Sequence, residues 1–324
     1  MTTPDKIIDY IKQNGQVTVI EMTRYFGITR QAIFRHLPKL LASGQITKIG
    51  KSPKVFYSIN KNLPTTHQDT EFSEIEKGKI GDQFFIITPA GERLQGVEAF
   101  IYWCDRNKLP YKKTAEEYIK TLEKYEAYKE NGLINGKSKL KDTFTNTYLD
   151  EIFYLDFYSI ERFGKTKLGQ LLLYAKQSQN LDLMNEAIKI VKPKVDEIIN
   201  KYQIDGMGFI PPTVKRERQL MKELEMGLGK NIRTISIEKA KTFVGVPQKT
   251  LSRLEDRIEN ALKTIIVTEN STFKNILLID DAVGSGATLN ETAKKIRERG
   301  ICKEKIIGLA LTGSFKGFDV IDEV

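Results

Sequence analysis

The sequence predicts an α/β protein in three parts: a small helix-and-hairpin (α+β) module over residues 1–60, a linker and mainly helical insert over 61–149, and a parallel-sheet domain over 150–324. Three observations predict it. The first sixty residues carry apolar side chains at helical spacing between cap and stop residues, followed by two short β-type runs. Further on, Asn275-Ile-Leu-Leu-Ile-Asp280-Asp281 is an apolar stretch ending in two acids, followed by small residues and a helical pattern. That order suits a strand buried on both faces of a parallel sheet. Finally, 324 residues with 40% hydrophobic and 29% charged side chains suffice for more than one core, since domains run to about 100–200 residues.

The formal charge of +9 is unevenly spread. Residues 1–60 hold nine basic and three acidic side chains, 61–150 hold fourteen and fifteen, and 151–324 hold twenty-eight and twenty-four. Two-thirds of the excess thus sits in the first fifth of the chain, where an anionic partner is expected. Cys104 and Cys302 are the only cysteines, too few for a disulfide framework or a Cys-rich zinc site, which points to a reducing cytoplasm. No uninterrupted apolar run nears the roughly 18 residues of a membrane span, so no membrane partner is expected.

In the first module, Thr3-Pro4-Asp5 opens a helix that carries Ile7, Ile8 and Ile11 and stops at Asn14-Gly15. A second helix covers Ile20 to Phe26 and ends at Gly27. Thr29 caps a third, from Arg30 to about Ala42, with Ile33, Leu37, Leu40 and Leu41 on one face and Arg30, Gln31, Arg35 and Lys39 on the other. Pro38 is expected to bend or divide it. Two strands, Ile46–Ile49 and Val55–Ile59, then flank the turn Gly50 to Lys54. This order resembles a winged helix-turn-helix domain. The resemblance implies binding of double-stranded DNA or another nucleic acid, with Arg30, Gln31, Arg35 and Lys39 in a groove and Lys48, Lys51 and Lys54 on the backbone. A docking or dimerisation module is the alternative.

From Lys61 to about Glu76 the chain is polar and aperiodic, as in a linker. Phe84–Thr88 reads as a strand, and Val97–Trp103 and Thr114–Lys129 as helices. Phe84, Phe85, Phe100, Tyr102 and Trp103 are expected to form an ordinary core, with base stacking the alternative. Gly132 to Ser138 mimics a nucleotide-binding P-loop but has three residues between its glycines where the cradle needs four, so it reads as a turn ending a helix.

The strongest signal is Asp280-Asp281-Ala282-Val283-Gly284-Ser285-Gly286-Ala287-Thr288. A small-residue loop entering a helix presents successive backbone N–H groups to a phosphate, Ser285 and Thr288 add hydroxyls, and the two carboxylates can accept hydrogen bonds from vicinal hydroxyls. A sugar phosphate fits both halves. The run resembles the phosphoribosyl diphosphate (PRPP) motif of type I phosphoribosyltransferases, and residues 150–324 resemble the ComF-like branch of that family. The resemblance implies that Asp280 and Asp281 are catalytic and hold the ribose, and that Val283, Gly284, Ser285, Gly286, Ala287 and Thr288 hold the 5′-phosphate. It places Pro212, Thr213, Lys215, Arg216 and Arg218 on the diphosphate, and Gln248, Lys249, Arg257 and Asn260 in a hood over the site. Lys176 ends the early segment. The branch's zinc-binding cysteine cluster is absent, and its Arg-Gly-Phe-Asn-Gln run is here Arg218-Gln219-Leu220-Met221-Lys222. Arg253 and Arg257 have a second reading, as a solvated helix face paired with Glu255 and Asp256.

Three functions follow from the resemblances. One is transfer of phosphoribosyl from PRPP to an unknown acceptor, with Mg²⁺ carried on PRPP and no metal held by protein side chains alone. Another is a PRPP-sensing regulator of the purine-repressor type, without turnover. A third is a nucleic-acid-gated effector of a retron-like anti-phage system. Both domain families commonly pair, so a homodimer is expected.

Overall fold

A computed structural model describes residues 2–49, 55–59, 72–229, 232–240, 246 and 250–314. The chain forms two compact units, divided between Glu71 and Phe72. Gln248, Lys249, Lys51 and Lys54 lie outside the described residues.

The first unit contains α1 (Thr3–Asn14), β1 (Gln16–Val17), α2 (Val19–Phe26), α3 (Arg30–Ala42), β2 (Ile46–Ile49) and β3 (Phe56–Ile59). Each helix begins at a hydroxyl. Thr2, one residue before the expected start, shares its N–H and hydroxyl with Asp5; Thr18 and Glu21 form a reciprocal capping box; and Thr29 Oγ1 accepts the Ala32 N–H at 3.3 Å. Gly27 closes α2 at φ 64°, a left-handed turn that a side chain would strain. The antiparallel order β1-β3-β2 includes β1, which no periodicity announced because it spans two residues. Ile7, Ile11, Met22, Ile33, Leu37 and Tyr57 fill the core. α3 continues through Pro38 as one helix, so the proline does not divide it. The carbonyl deprived of its helical donor belongs to Phe34, an exposed residue that water can serve.

The second unit runs through α4 (Glu74–Gln83), β4 (Phe85–Ile87), β5 (Arg93–Gln95), α5 (Gly96–Asn107), α6 (Tyr111–Glu126), β6 (Lys129–Glu130), β7 (Leu133–Asn135) and α7 (Lys137–Thr143). It continues with β8 (Glu151–Phe157), β9 (Ser159–Ile160), β10 (Gly164–Lys165), α8 (Lys167–Ser178), α9 (Leu181–Tyr202), β11 (Gly206–Phe209), α10 (Leu220–Leu228), β12 (Arg233–Ile235) and β13 (Ile237–Lys239). Last come α11 (Leu254–Thr264), β14 (Ile265–Val267), β15 (Ile276–Val283), α12 (Ala287–Glu298) and β16 (Ile306–Gly313). Seven strands form one sheet in the order β12-β11-β15-β16-β8-β7-β6. The first five are parallel, and β7 and β6 extend the sheet antiparallel.

Alternation along β15 divides the core. Leu277 and Ile279 meet α8, α9 and α10 residues such as Leu171 and Val191, while Ile276 and Leu278 belong to the cluster containing Ala293 of α12 and Phe100 of α5. The 72–149 segment is therefore not a body apart: it shares this core and supplies two strands to the sheet. Gly132 to Ser138 is not a helix-ending turn but contains β7 and the start of α7. The ladder partner that makes it a strand, Tyr154, lies far along the chain. Phe84, Phe85 and Phe100 are core residues, with the rings of Phe84 and Phe100 edge to face at 5.2 Å.

Candidate functional site

The C-terminal ends of β11, β15, β16 and β8 open into one cleft of about 280 Å³, the place where parallel α/β sheets bind ligands. β15 delivers Asp280 and Asp281 there because its pairing with β11 and β16 holds it to Val283. Gly286, at φ 79°, then turns the backbone into the N-terminus of α12. A Cβ-bearing residue at that φ would be strained, which explains the glycine. Ser285 is buried, and its Oγ lies 3.4 Å from the Ala287 nitrogen that donates to it. The N–H groups of the first turn carry the positive end of the helix dipole, worth about 0.3–1 kcal/mol to an anion on an exposed helix.

Basic side chains face these acids from three other elements. Lys176, in the last turn of α8, forms an ion pair with Asp281. Lys239, ending β13, donates from Nζ to Thr213 Oγ1 at 2.6 Å, and burial lowers its pKa while Asp280 partly restores it. Arg216 and Arg218 line the cleft from the loop after β11. That loop is folded on Gln219, whose Nε2 donates to the carbonyls of Val214 at 3.2 Å and Arg216 at 3.1 Å. The Arg218 N–H is held by Gln179 Oε1 at 2.8 Å.

Asp280 accepts the Asp281 N–H at 2.8 Å. Burial, followed by the neighbouring Asp281 carboxylate, pushes its pKa up to about 8, against the pull of that N–H, Lys176 and Lys239. A carboxyl in this state can hold or give up a proton near neutral pH.

The structure brings together most of the expected residues: Asp280, Asp281, Val283 to Thr288, Pro212, Thr213, Arg216, Arg218, Lys176 and Arg257 all line the cleft. Lys215 does not, and it is exposed. Asn260 does not line it either, and its Nδ2 donates to the Val246 carbonyl at 3.4 Å. The solvated-face reading of Arg257 is overturned, because Arg257 is buried and its Nε donates to the Leu251 carbonyl at 2.7 Å. Sequence reasoning missed Lys239, which lies in a short strand with no motif around it. It also missed the bracing role of Gln219, although that residue sits inside the quoted loop.

Fold and site together define an α/β protein with a mainly parallel sheet and a cleft lined by acids and bases at the carboxyl ends of its central strands. No protein-family model and no curated protein matches the chain. Among solved structures it is similar to an adenine phosphoribosyltransferase (13% identity, 41% of this chain and 73% of that one, TM-score 0.26). It is also similar to a hypoxanthine phosphoribosyltransferase from Staphylococcus aureus (13%, 44% and 70%, TM-score 0.26) and to an adenine phosphoribosyl transferase from Trypanosoma brucei (12%, 47% and 71%, TM-score 0.24). Among the described residues, no group of three or more His, Cys, Asp or Glu side chains is placed to hold a metal, and no helix is long and apolar enough to cross a membrane.

Proposed function

We propose that the cleft binds PRPP and transfers its phosphoribosyl group to an acceptor, with release of diphosphate. The observation that carries this is the succession, on one strand end, of two carboxylates and a glycine-turned helix N-terminus, faced by Lys176, Lys239, Arg216 and Arg218. In this reading the N–H groups of Gly284 to Thr288 hold the 5′-phosphate and Asp280 and Asp281 hold the ribose hydroxyls. The cations lie where the leaving diphosphate gathers negative charge, which is where charged donors lower a barrier most. Lys176 must release Asp281 in part for the ribose to enter. Mg²⁺ belongs to this reading as a passenger on the diphosphate oxygens, where it neutralises leaving-group charge. The residues present fit that role, since Asp280 and Asp281 would stand beside a bound ribose and the cations Lys176, Lys239, Arg216 and Arg218 would leave the diphosphate oxygens free to carry the ion.

The first unit, in the same reading, is a winged helix-turn-helix that engages nucleic acid through Arg30, Gln31, Arg35 and Lys39 of α3 and Lys48 of β2. Its support is the capped three-helix order, the β2–β3 hairpin and the concentrated positive charge. A binding-only sensor is favoured by one observation, the position of Lys215 outside the cleft, which leaves fewer cations on the diphosphate.

The test is diphosphate release from PRPP and Mg²⁺, with and without double-stranded DNA and candidate acceptors, beside calorimetric PRPP binding. Release that disappears in Asp281→Asn supports the transferase, and release only when DNA is present supports nucleic-acid gating. PRPP binding without release under any mixture supports the sensor. Neither binding nor release would overturn the whole reading.

A further inference from the structure

A second cavity, of about 410 Å³, lies in the same unit and shares only α8 with the helices that line the cleft. It opens between α5, α6 and α8, and Leu173 of α8 is the residue that lines both it and the cleft. Its volume falls in the range of small-molecule sites, about 300–1,000 Å³. The walls are aromatic: Tyr102, Trp103, Tyr118 and Phe163 line it, with the Trp103 and Phe163 rings 5.5 Å apart and the Tyr118 and Phe163 rings 5.0 Å apart.

A cavity whose only task was packing would close on itself. This one stays open, and the indole N–H of Trp103, the hydroxyl of Tyr118 and the side-chain amide of Gln170 make no hydrogen bond to another described residue; none of the three is a buried atom without a partner, so they line the cavity as donors and acceptors that water or a ligand can reach. Asp156, also on the lining, is already engaged by Lys129 at 3.1 Å and by the Phe157 N–H at 2.9 Å. Gln170, Tyr118 and the Trp103 indole are neutral donors and acceptors beside the aromatic faces, and the lining also carries Glu126, paired with Lys129, and Lys165, whose ammonium lies over the Tyr158 ring. Arg106 stands at the rim, its guanidinium 5.9 Å from the Tyr102 ring centre.

We propose that this cavity binds a planar nitrogen heterocycle of the nucleobase or nucleoside class, stacked among Trp103, Tyr102 and Phe163 and hydrogen-bonded at its edge by Gln170, Tyr118 and the Trp103 indole. Flat π-faces take any base, and the edge groups discriminate among them. The proposal does not rest on the PRPP reading, because none of these residues belongs to the cleft.

Trp103 is the single tryptophan of the chain, so intrinsic fluorescence reports on this cavity directly. The full-length protein is titrated with adenine, adenosine, guanosine, cytidine and uridine, exciting at the red edge of the indole band, with calorimetry in parallel. The expected result is a saturable emission change with at least one of them, and an affinity at least tenfold weaker in Gln170→Leu by both methods. Trp103→Phe, followed by calorimetry, should weaken binding by a similar factor, while Asp281→Asn leaves it within twofold. An absence of saturable binding up to millimolar concentration of all five probes would overturn the proposal. So would binding that Asp281→Asn abolishes and Gln170→Leu spares, which would assign it to the cleft. Circular dichroism and melting of both variants separate lost binding from lost folding. PRPP calorimetry on the same samples reports separately on the cleft.

Discussion

Gly169 offers the sharpest test of how the cleft is held. It lies in the first turn of α8, where a Cβ would sit 2.2 Å from the Tyr158 carbonyl oxygen and 3.2 Å from its carbon. That oxygen is backbone, and it already accepts the Thr166 N–H at 3.1 Å, so it cannot swing aside. Real contacts do not fall below 3.0 Å, so Gly169→Ala obliges α8 to retreat from the end of β8 by about 1 Å, a strain of the overpacking kind that costs about 1–3 kcal/mol. The expected melting midpoint is lower by about 3–10 °C. Lys176, two turns along the same rigid helix, moves with it. A 1 Å misplacement of a positioning group costs up to about 10²-fold, so PRPP affinity or turnover should fall about tenfold to 10²-fold. The control is Gly78→Ala in α4, a helical glycine whose Cβ would meet nothing within 4 Å; it should leave binding unchanged and stabilise by about 0.5–1 kcal/mol. If Gly169→Ala melts and binds PRPP as the parent does, the close approach of α8 to β8 does not position Lys176.

Lys239→Met removes the cation that donates to Thr213 Oγ1 and pulls on Asp280, and PRPP affinity by calorimetry should weaken at least tenfold. The raised pKa of Asp280 makes folding take up a proton between about pH 4 and pH 8, so its burial opposes folding increasingly as pH rises through that window. Asp280→Asn should therefore be more stable than the parent in urea unfolding, with the difference largest above pH 8 and vanishing toward pH 4, while PRPP binding is lost. A pH-independent difference would contradict the burial of Asp280. For the first unit, Arg35→Ala should weaken duplex DNA binding in a gel-shift series and lower the slope of log affinity against log salt by about one; an unchanged slope would remove α3 from the interface.

Features carried by contiguous residues were open to sequence reasoning. The Thr29 cap and the Ser43-Gly44 stop delimit α3 to the residue, and the Asp280 to Thr288 run announces a strand, a tight loop and a helix start because all three lie within one local segment. Features that depend on distant partners were not. β7 is a strand because of β8, and Arg257 is buried although its flanking charges read as solvated. Lys239 bears on Asp280 from β13, which pairs with β14 in a two-stranded sheet apart from the one that carries β15, and no spacing in the chain encodes that meeting. Lys215 and Arg216 are neighbours in sequence, yet in the loop folded on Gln219 Arg216 lines the cleft and Lys215 does not.

The large sheet begins at β12, three residues long, and ends at β6, two residues long and carrying Lys129. Strands this short present few unpaired backbone groups. Two copies of this unit therefore have little to gain by joining sheets edge to edge, and the same brevity guards it against strand-by-strand aggregation. Substitutions at these two sheet margins should accordingly leave the association state of the protein unchanged, as sedimentation would show.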